Sequence, residues 1–444
     1  GSTSRLEQGS HRDATAVLTH IRTAAPASLF ALMDFHPYLE HPMRVRLLKE
    51  IALAHESLPH TVILVSPALT IPPEIQQFAV SFHLSLPNRS ELETLVGGVA
   101  EEWMQVKGSS VTTNTASFDL LVRNLSGLPL SDARRLARTA VFDDGAITQE
   151  DAQSVMQAKY QLLNRDGVLA FEYDTATFAD IAGLERLKSW LDKRKAVFLP
   201  SGSEAPKLDA PKGVLLLGVQ GCGKSLAAKA VAGAWGVPLL RLDFGAIYQK
   251  YIGETEKNLR ESLESARVMA PCVLWLDEIE KGLSTGDVDG GTSRRILGML
   301  LTWMAEKKEP VFIVATANDI EQLPPELIRK GRFDEIFFVD LPSDDVRKTI
   351  FRVHIKKREL DPETFDLAAL AAASASFSGA EIEQAVVAAR YSAAASSEAL
   401  TTEHILAELR QTKPLAVVMA EKVDYLRSWA RDRTIPADEP GTTG

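Results

Sequence analysis

The sequence has very little cysteine: Cys222 and Cys272 are the two among 444 residues. Two thiols build neither a disulfide framework nor a thiolate metal cluster, and they suit a reducing cytoplasm. The nine histidines are scattered without ligand spacing, which leaves a transition-metal site without support. Long apolar runs are missing, so no segment is expected to span a membrane. A basic excess is missing too. Lys and Arg number 49 against 59 Asp and Glu, for a net charge of −10, which disfavours a phosphate backbone as main partner. Gly1 to Ser10 has neither a Met nor an apolar signal core; residues 1–12 read as a cloning remnant and are set aside. What remains, 45% hydrophobic and 24% charged, has the balance of a globular protein of several domains.

One stretch organises the rest. Gly218-Val-Gln-Gly-Cys-Gly-Lys224-Ser225 fits the phosphate-cradling pattern in which glycines let successive N–H groups turn inward on a polyphosphate. Gly218, Gly221, Cys222 and Gly223 form that loop, Lys224 supplies a point charge for β and γ phosphates, and Ser225 is a candidate Mg²⁺ ligand. Pro211 to Leu217 reads as a buried strand. The Ala-rich stretch from Leu226 to Trp235 reads as a helix whose N-terminus faces the phosphates. Cys222 also suggests a redox switch, although a merely small, tolerated side chain explains it as well.

Two further apolar strands end in polar residues. Val273-Leu-Trp-Leu-Asp277-Glu278 stays apolar until the sheet edge, where Asp277 can hold Mg²⁺ and Glu278 can deprotonate a water. Val311-Phe-Ile-Val-Ala-Thr-Ala-Asn318 ends in an amide that either positions that water or caps the next turn. Trp275 and Trp303 read as core.

The chain also repeats itself. Thr61-Val-Ile-Leu-Val-Ser, Ile71-Pro-Pro-Glu-Ile75, Phe82 to Pro87 and Ser90 to Leu95 run parallel to Pro310-Val-Phe-Ile-Val-Ala, Leu323-Pro-Pro-Glu-Leu327, Phe337 to Pro342 and Asp345 to Ile350. Each series reads as strand, Pro-Pro-Glu turn, strand ending at Leu-Pro, and helix. Ala31-Leu-Met-Asp34 echoes Leu274 to Asp277, and Ala146 to Glu150 echoes Ala399 to Glu403. In the first copy Phe35, Leu69 and Gln77 stand where Glu278, Asn318 and Arg332 stand in the second, and 33 residues before Asp34 leave no room for a phosphate loop. Residues 13–158 are therefore expected to be a nucleotide-dead docking module, with 112–158 its helical lid. Then come a linker at 159–172, a large α/β subdomain at 173–355, a helical lid at 356–412 opened by a capping box at Ser378 to Glu381, and a C-terminal helix and tail at 413–444. Ser201 to Ala210 reads as a mobile surface loop, and the chain from Thr434 onward is expected to fray.

Residues 173–395 resemble the AAA clade of AAA+ ATPases, from Phe178-Ala-Asp-Ile-Ala-Gly-Leu through both polar-ended strands to Leu327-Ile-Arg329-Lys-Gly-Arg332-Phe-Asp. The first module, Gly286 to Arg294, and Pro414 to Val423 are similar to the family named after hypothetical chloroplast reading frame 46. The resemblance implies an α/β P-loop sheet with a helical lid, preceded by a degenerate AAA-like module, and ATP with Mg²⁺ as cofactors. It implies that Arg329 and Arg332 are arginine fingers for a neighbouring subunit, although an Arg pair at a turn is more often a solvated surface. Asp180, Ile181, Ala182 and Gly183 would line the adenine, with Leu226 behind the loop and Gly379 and Ala380 approaching from the lid. Lys250, Tyr251, Ile252 and Gly253 match a first pore loop, where an aromatic grips polypeptide; Tyr251 packing on its own helix is the alternative. Gly290, Gly291, Arg294 and Arg295 would lie in or beside a second pore loop.

The leading expectation is an ATP hydrolase in a homo-oligomeric, hexameric ring that remodels or translocates an unidentified protein partner. The alternative is a regulatory scaffold whose nucleotide state controls assembly and partner binding. A nucleic-acid motor is disfavoured by the acidic balance and by the lack of aromatics interleaved with basic residues.

Overall fold

The computed structural model describes residues 13–24, 26–66, 69–82, 86–163, 169–173, 178, 181–199, 208–244, 255–283, 292–329 and 331–438. They belong to two compact units, Gly1–Ser85 and Leu86–Gly444.

In the first unit, α1 (Ala14–Thr23) is capped by Asp13, whose carboxylate accepts from the N–H groups of Thr15 and Ala16, satisfying donors a helix start leaves orphaned. Strand β1 (Leu29–Met33), helix α2 (Pro42–Leu53) and strand β2 (Thr61–Val65) follow. The strands pair in parallel, Leu29 opposite Thr61 and Met33 opposite Val65. Their alternating side chains place Phe30, Leu32, Val62 and Leu64 against a core of Leu18, Ile21, Phe35, Val45, Leu48 and Ile51. Of the strand expected over Phe82–Pro87, His83–Ser85 lie outside the described residues, and Phe82 and Leu86 are in irregular backbone.

The second unit begins with four helices: α3 (Arg89–Lys107), α4 (Thr115–Leu125), α5 (Leu130–Asp144) and α6 (Gln149–Leu163). Two short parallel strands, β3 (Thr112–Thr113) and β4 (Ala146–Ile147), accompany them. Leu92, Val96, Leu121, Leu125, Leu136 and Val141 fill their core. This bundle is seated on the sheet domain. A Cβ on Gly127 would stand 2.6 Å from the Val268 carbonyl oxygen, and Met156 belongs to the sheet's own core.

The expected linker contains structure: β5 (Leu169–Glu172) pairs antiparallel with a later strand, Leu169 opposite Leu242. Leu169 is fully buried, and a strand so short carries too little alternation to be legible in sequence. Then come α7 (Glu185–Phe198), β6 (Gly213–Gly218), α8 (Lys224–Trp235), β7 (Leu239–Leu242), α9 (Thr255–Val268), β8 (Cys272–Leu276), α10 (Ile279–Leu283), α11 (Thr292–Glu306), β9 (Val311–Ala317), α12 (Pro325–Ile328) and β10 (Glu335–Val339). The sheet closes with β11 (Ile435–Pro436) in the order β11-β10-β6-β9-β8-β7-β5, and every pairing except β5 with β7 is parallel. Alternate residues of each strand enter opposite cores. Leu215 and Leu217 join Leu274, Leu276 and Ile313 on one face, while Val214 and Leu216 join Val273, Trp275 and Phe312 on the other. A sheet buried on both faces accounts for the near-continuous apolar runs. Trp275 and Trp303 are buried, as expected.

A helical lid is formed by α13 (Asp344–Lys356), α14 (Leu367–Ala373), α15 (Gly379–Ala395) and α16 (Thr402–Gln411). The expected capping box is present, with Ser378 Oγ on the Glu381 N–H and the Glu381 carboxylate on the Ser378 N–H. The chain continues into α17 (Leu415–Val418) and α18 (Ala420–Ala430). The expected fraying from Thr434 is corrected as far as Asp438: Ile435 and Pro436 pair with Phe337 and Phe338, and Ala437 is buried. An edge strand tolerates proline, and two residues have no periodicity to reveal them.

Candidate functional site

The phosphate-loop stretch turns from β6 into α8 beneath the lid. Gly218 has Val339 so close that a Cβ would stand 2.0 Å from its carbonyl oxygen, so no larger residue fits. Gly223 is the N-cap of α8 with φ +90, and no side chain caps that helix. Its leading N–H groups are thus left for an incoming acceptor. Lys224 is buried, and its Nζ donates to the carbonyls of Gly218 at 2.9 Å and Val219 at 2.8 Å. Burial pulls its ammonium down to about 8, the state of a cation held without a full counter-charge.

The ends of β8 and β9 complete a connected set. Ser225 Oγ stands 3.4 Å from Asp277 Oδ1, the same oxygen that accepts from Thr316 Oγ1 at 2.8 Å. Thr316 Oγ1 in turn accepts the Glu278 N–H at 3.1 Å. Glu278 sits at φ +46, an uncommon conformation for a residue with a Cβ, and this swings its carboxylate toward Asn318. Asn318 Nδ2 donates to Glu278 Oε1 at 3.2 Å, and Lys281 Nζ to Oε2 at 2.5 Å. The bond to Glu278 raises the Lys281 ammonium. Glu280 is buried, accepts the Asn318 N–H at 2.9 Å, and is held above the usual carboxylate range by that burial.

Gly223, Lys224, Ser225, Asp277, Glu278, Thr316 and Asn318 open into one cavity of about 890 Å³. Of the expected residues, Ile181, Ala182, Gly221, Cys222, Gly223, Lys224, Ser225, Leu226, Asp277, Glu278, Asn318, Gly379 and Ala380 line it. Gly183 lies behind the wall at φ +72, where a Cβ would meet Asp438 Oδ2 at 2.5 Å. Arg329 and Arg332 do not line the cavity of their own chain; Arg329 is exposed, and Arg332 Nη1 donates to the Leu301 carbonyl at 2.8 Å. Arg294 is exposed and Arg295 pairs with Glu256 at 2.9 Å. Asp180, Lys250, Tyr251, Ile252, Gly253, Gly290 and Gly291 lie outside the described residues, as does Ser201–Lys207 of the expected surface loop. Burial pushes the Cys222 thiol up to about 12. A thiol so reluctant to ionise is a poor redox switch.

Sequence reasoning missed several lining residues. Thr316 was legible, because it lies two positions before Asn318 on one strand and so faces the same way. Ile350 and His354 also line the cavity, and their i,i+4 spacing on α13 is the available signal. His354 Nδ1 is 3.4 Å from Glu383 Oε1, and burial lowers its imidazole. Asp340, Arg427, Arg431 and Asp438 line it as well, without any local signal.

Uncapped amides, a buried ammonium, and a hydroxyl beside a carboxylate suit a polyphosphate with a divalent cation. Residues 214–341 match the ATPase family associated with various cellular activities, AAA. Residues 90–166 match the second domain and 1–84 the N-terminal domain of SpoVK-like AAA ATPases. A structural neighbour is the FIGL-1 AAA domain, with a TM-score of 0.50 and 23% identity, covering 63% of this chain and 96% of that one; it shares the fold. The class is thus an AAA ATPase. Over 406 residues the chain is 38% identical to the AAA domain-containing protein ycf46 of Guillardia theta, spanning 90% of this chain and 79% of that protein. Over 411 residues it is 37% identical to its counterpart in Trieres chinensis, spanning 92% and 81%. The chain belongs to the ycf46 family of AAA domain-containing proteins. Among the described residues no helix is long and apolar enough to cross a membrane.

Proposed function

We propose that this chain hydrolyses ATP with Mg²⁺ at the subunit interfaces of a homohexameric ring and uses the cycle to remodel or translocate a protein partner. The observation that carries the reading is the convergence of Lys224, Ser225, Asp277, Glu278 and Asn318 on one cavity. In this reading Lys224 and the α8 amides hold the β and γ phosphates, and Ser225 and Asp277 hold the cation. Bound Mg²⁺ neutralises charge that builds on the phosphoryl oxygens. Glu278 orients and deprotonates the attacking water, and Asn318 fixes Glu278. Arg329 and Arg332 reach the neighbouring subunit's site, which is consistent with their standing off their own cavity, and Tyr251 of the Lys250–Gly253 segment grips polypeptide.

A specific observation favours a second reading, a nucleotide-gated scaffold with slow hydrolysis as a timer. Both carboxylate oxygens of Glu278 are already engaged, one by Asn318 and one by Lys281, so a water has to compete with these side chains for the carboxylate. The test is Glu278→Gln in the purified chain with ATP and Mg²⁺, read by turnover and native mass. Turnover is expected to fall at least about a hundredfold while an ATP-bound ring persists. Unchanged turnover would refute hydrolysis by Glu278, and a monomer under every condition would refute the ring. A partner activity that survives the substitution selects the scaffold; one that stops selects the motor.

A further inference from the structure

The C-terminal helix, and the stretch after it that was expected to fray from Thr434, contribute residues to the cavity wall. At the start of this C-terminal segment the Leu415 N–H donates to Glu381 Oε1 at 2.7 Å, and Glu381 is the capping-box partner of Ser378 in the first turn of α15, beside Gly379 and Ala380. In the first turn of α18, Lys422 Nζ binds Asp319 Oδ2 at 2.8 Å, next to Asn318. Burial opposes ionisation of Asp319, yet the hydrogen bond from Lys422 and others hold its carboxyl below the usual range. Further along, Arg427 grips Asp340 as a fork, with Nε 2.9 Å from Oδ2 and Nη2 2.9 Å from Oδ1. Asp340 follows β10 directly, and both residues line the cavity.

The last described residues close the circuit. The Ala437 N–H donates to the Phe338 carbonyl at 2.8 Å, and the Leu187 N–H donates to the Ala437 carbonyl at 3.0 Å. Asp438 Oδ1 accepts the Glu185 N–H at 3.3 Å at the start of α7, whose own N-cap, Leu184, offers no side-chain acceptor. Its other oxygen occupies the space over Gly183. The loop from Ile181 to Glu185 is therefore held by a residue more than two hundred positions away.

We infer that the segment Leu415–Asp438 is a wall of the nucleotide site, with Arg427 and Asp438 as positioning residues that set nucleotide affinity. Arg427 holds the end of β10 in place, and Asp438 holds the Ile181–Glu185 loop against the cavity. Neither takes part in the chemical step, so their loss acts on binding. The inference rests on the cavity being the nucleotide site.

The test uses the full chain and a fluorescent N-methylanthraniloyl ATP, titrated with Mg²⁺ alongside steady-state hydrolysis and nucleotide-free melting. Asp438→Ala and Arg427→Met are each expected to weaken binding and raise KM about tenfold, with kcat within about twofold. Asp438→Asn keeps an acceptor for the Glu185 N–H and is expected to restore affinity, which a purely bulk structural role would not predict. Affinity equal to wild type in Asp438→Ala, a fall in kcat at constant KM, or a loss of affinity that follows unfolding of the nucleotide-free variant would each overturn the inference. Failure of the wild-type chain to bind the probe would overturn the nucleotide site itself.

Discussion

Two pairs of parallel strands in this molecule carry related sequences and end in different chemistry. In the first unit, β1 runs Leu29-Phe-Ala-Leu-Met33 into Asp34, beside β2. In the second, β8 runs Cys272-Val-Leu-Trp-Leu276 into Asp277, beside β9. Each pair leaves its sheet through a left-handed residue, Asp34 at φ +52 in one and Glu278 at φ +46 in the other. The turn thus falls one residue later in the second pair. There it aims a carboxylate at Asn318; in the first it leads to Phe35, which is buried in an apolar core. The covering differs as well. The strands of the second pair are buried throughout, while those of the first alternate between exposed and half-buried. The second pair lies inside a sheet whose two faces are covered by helices, so its strands stay apolar until their polar residues gather at one edge.

The largest test of that contrast is Asp277→Asn against Asp34→Asn. The first is expected to lower ATP turnover by about a hundredfold or more, since it removes the charge shared by Ser225 and Thr316. The second keeps a residue tolerant of positive φ and is expected to leave turnover within about twofold. Equal losses in a coupled ATPase assay would show that the first pair has a chemical role.

A pH titration separates the units next. With its pKa near 8 in the empty site, Lys224 is charged below that pH, and an anion raises the value. Binding above pH 8 therefore takes up a proton. ATP affinity is expected to hold steady below about 8 and to fall by up to about tenfold per pH unit above it. Isothermal titration in two buffers of different ionisation heat checks the proton uptake; affinity independent of pH from 7 to 9 would contradict the assignment.

The smallest effect compares two helix caps. Asn88 and Ser378 each close a capping box, so Asn88→Ala and Ser378→Ala are each expected to cost about 1 kcal/mol of stability. Only Ser378 also sits against the phosphate loop, with Oγ 2.7 Å from where a Cβ on Gly221 would be. Ser378→Ala is therefore expected to change ATP affinity, by about threefold, while Asn88→Ala leaves it alone. Denaturant melts and nucleotide titrations on both variants read the difference.

Much of the site was legible because its parts are local. Glycines followed by Lys224 and Ser225, an apolar run ending in Asp277 and Glu278, and another ending in Asn318 each carry their signature within a few residues. Ile350 and His354 were half legible, since their spacing marks a shared helix face but not what that face meets. Lys281 was invisible for a different reason. Three residues past Glu278 it reads as an ordinary solvated cation, and it is largely exposed; its i,i+3 spacing is that of a common surface pair and does not mark a site.

The amino-acid sequence by itself determined the parallel strands, the phosphate loop and the capped lid helix, because each depends on backbone preferences and burial patterns a few residues long. Tertiary structure alone decided which distant residues share the cavity. Arg427 reaches Asp340, and Asp438 reaches Glu185, through strand and helix packing across the domain. Such partners follow from where the sheet order puts each edge, and no stretch of neighbouring residues encodes that order.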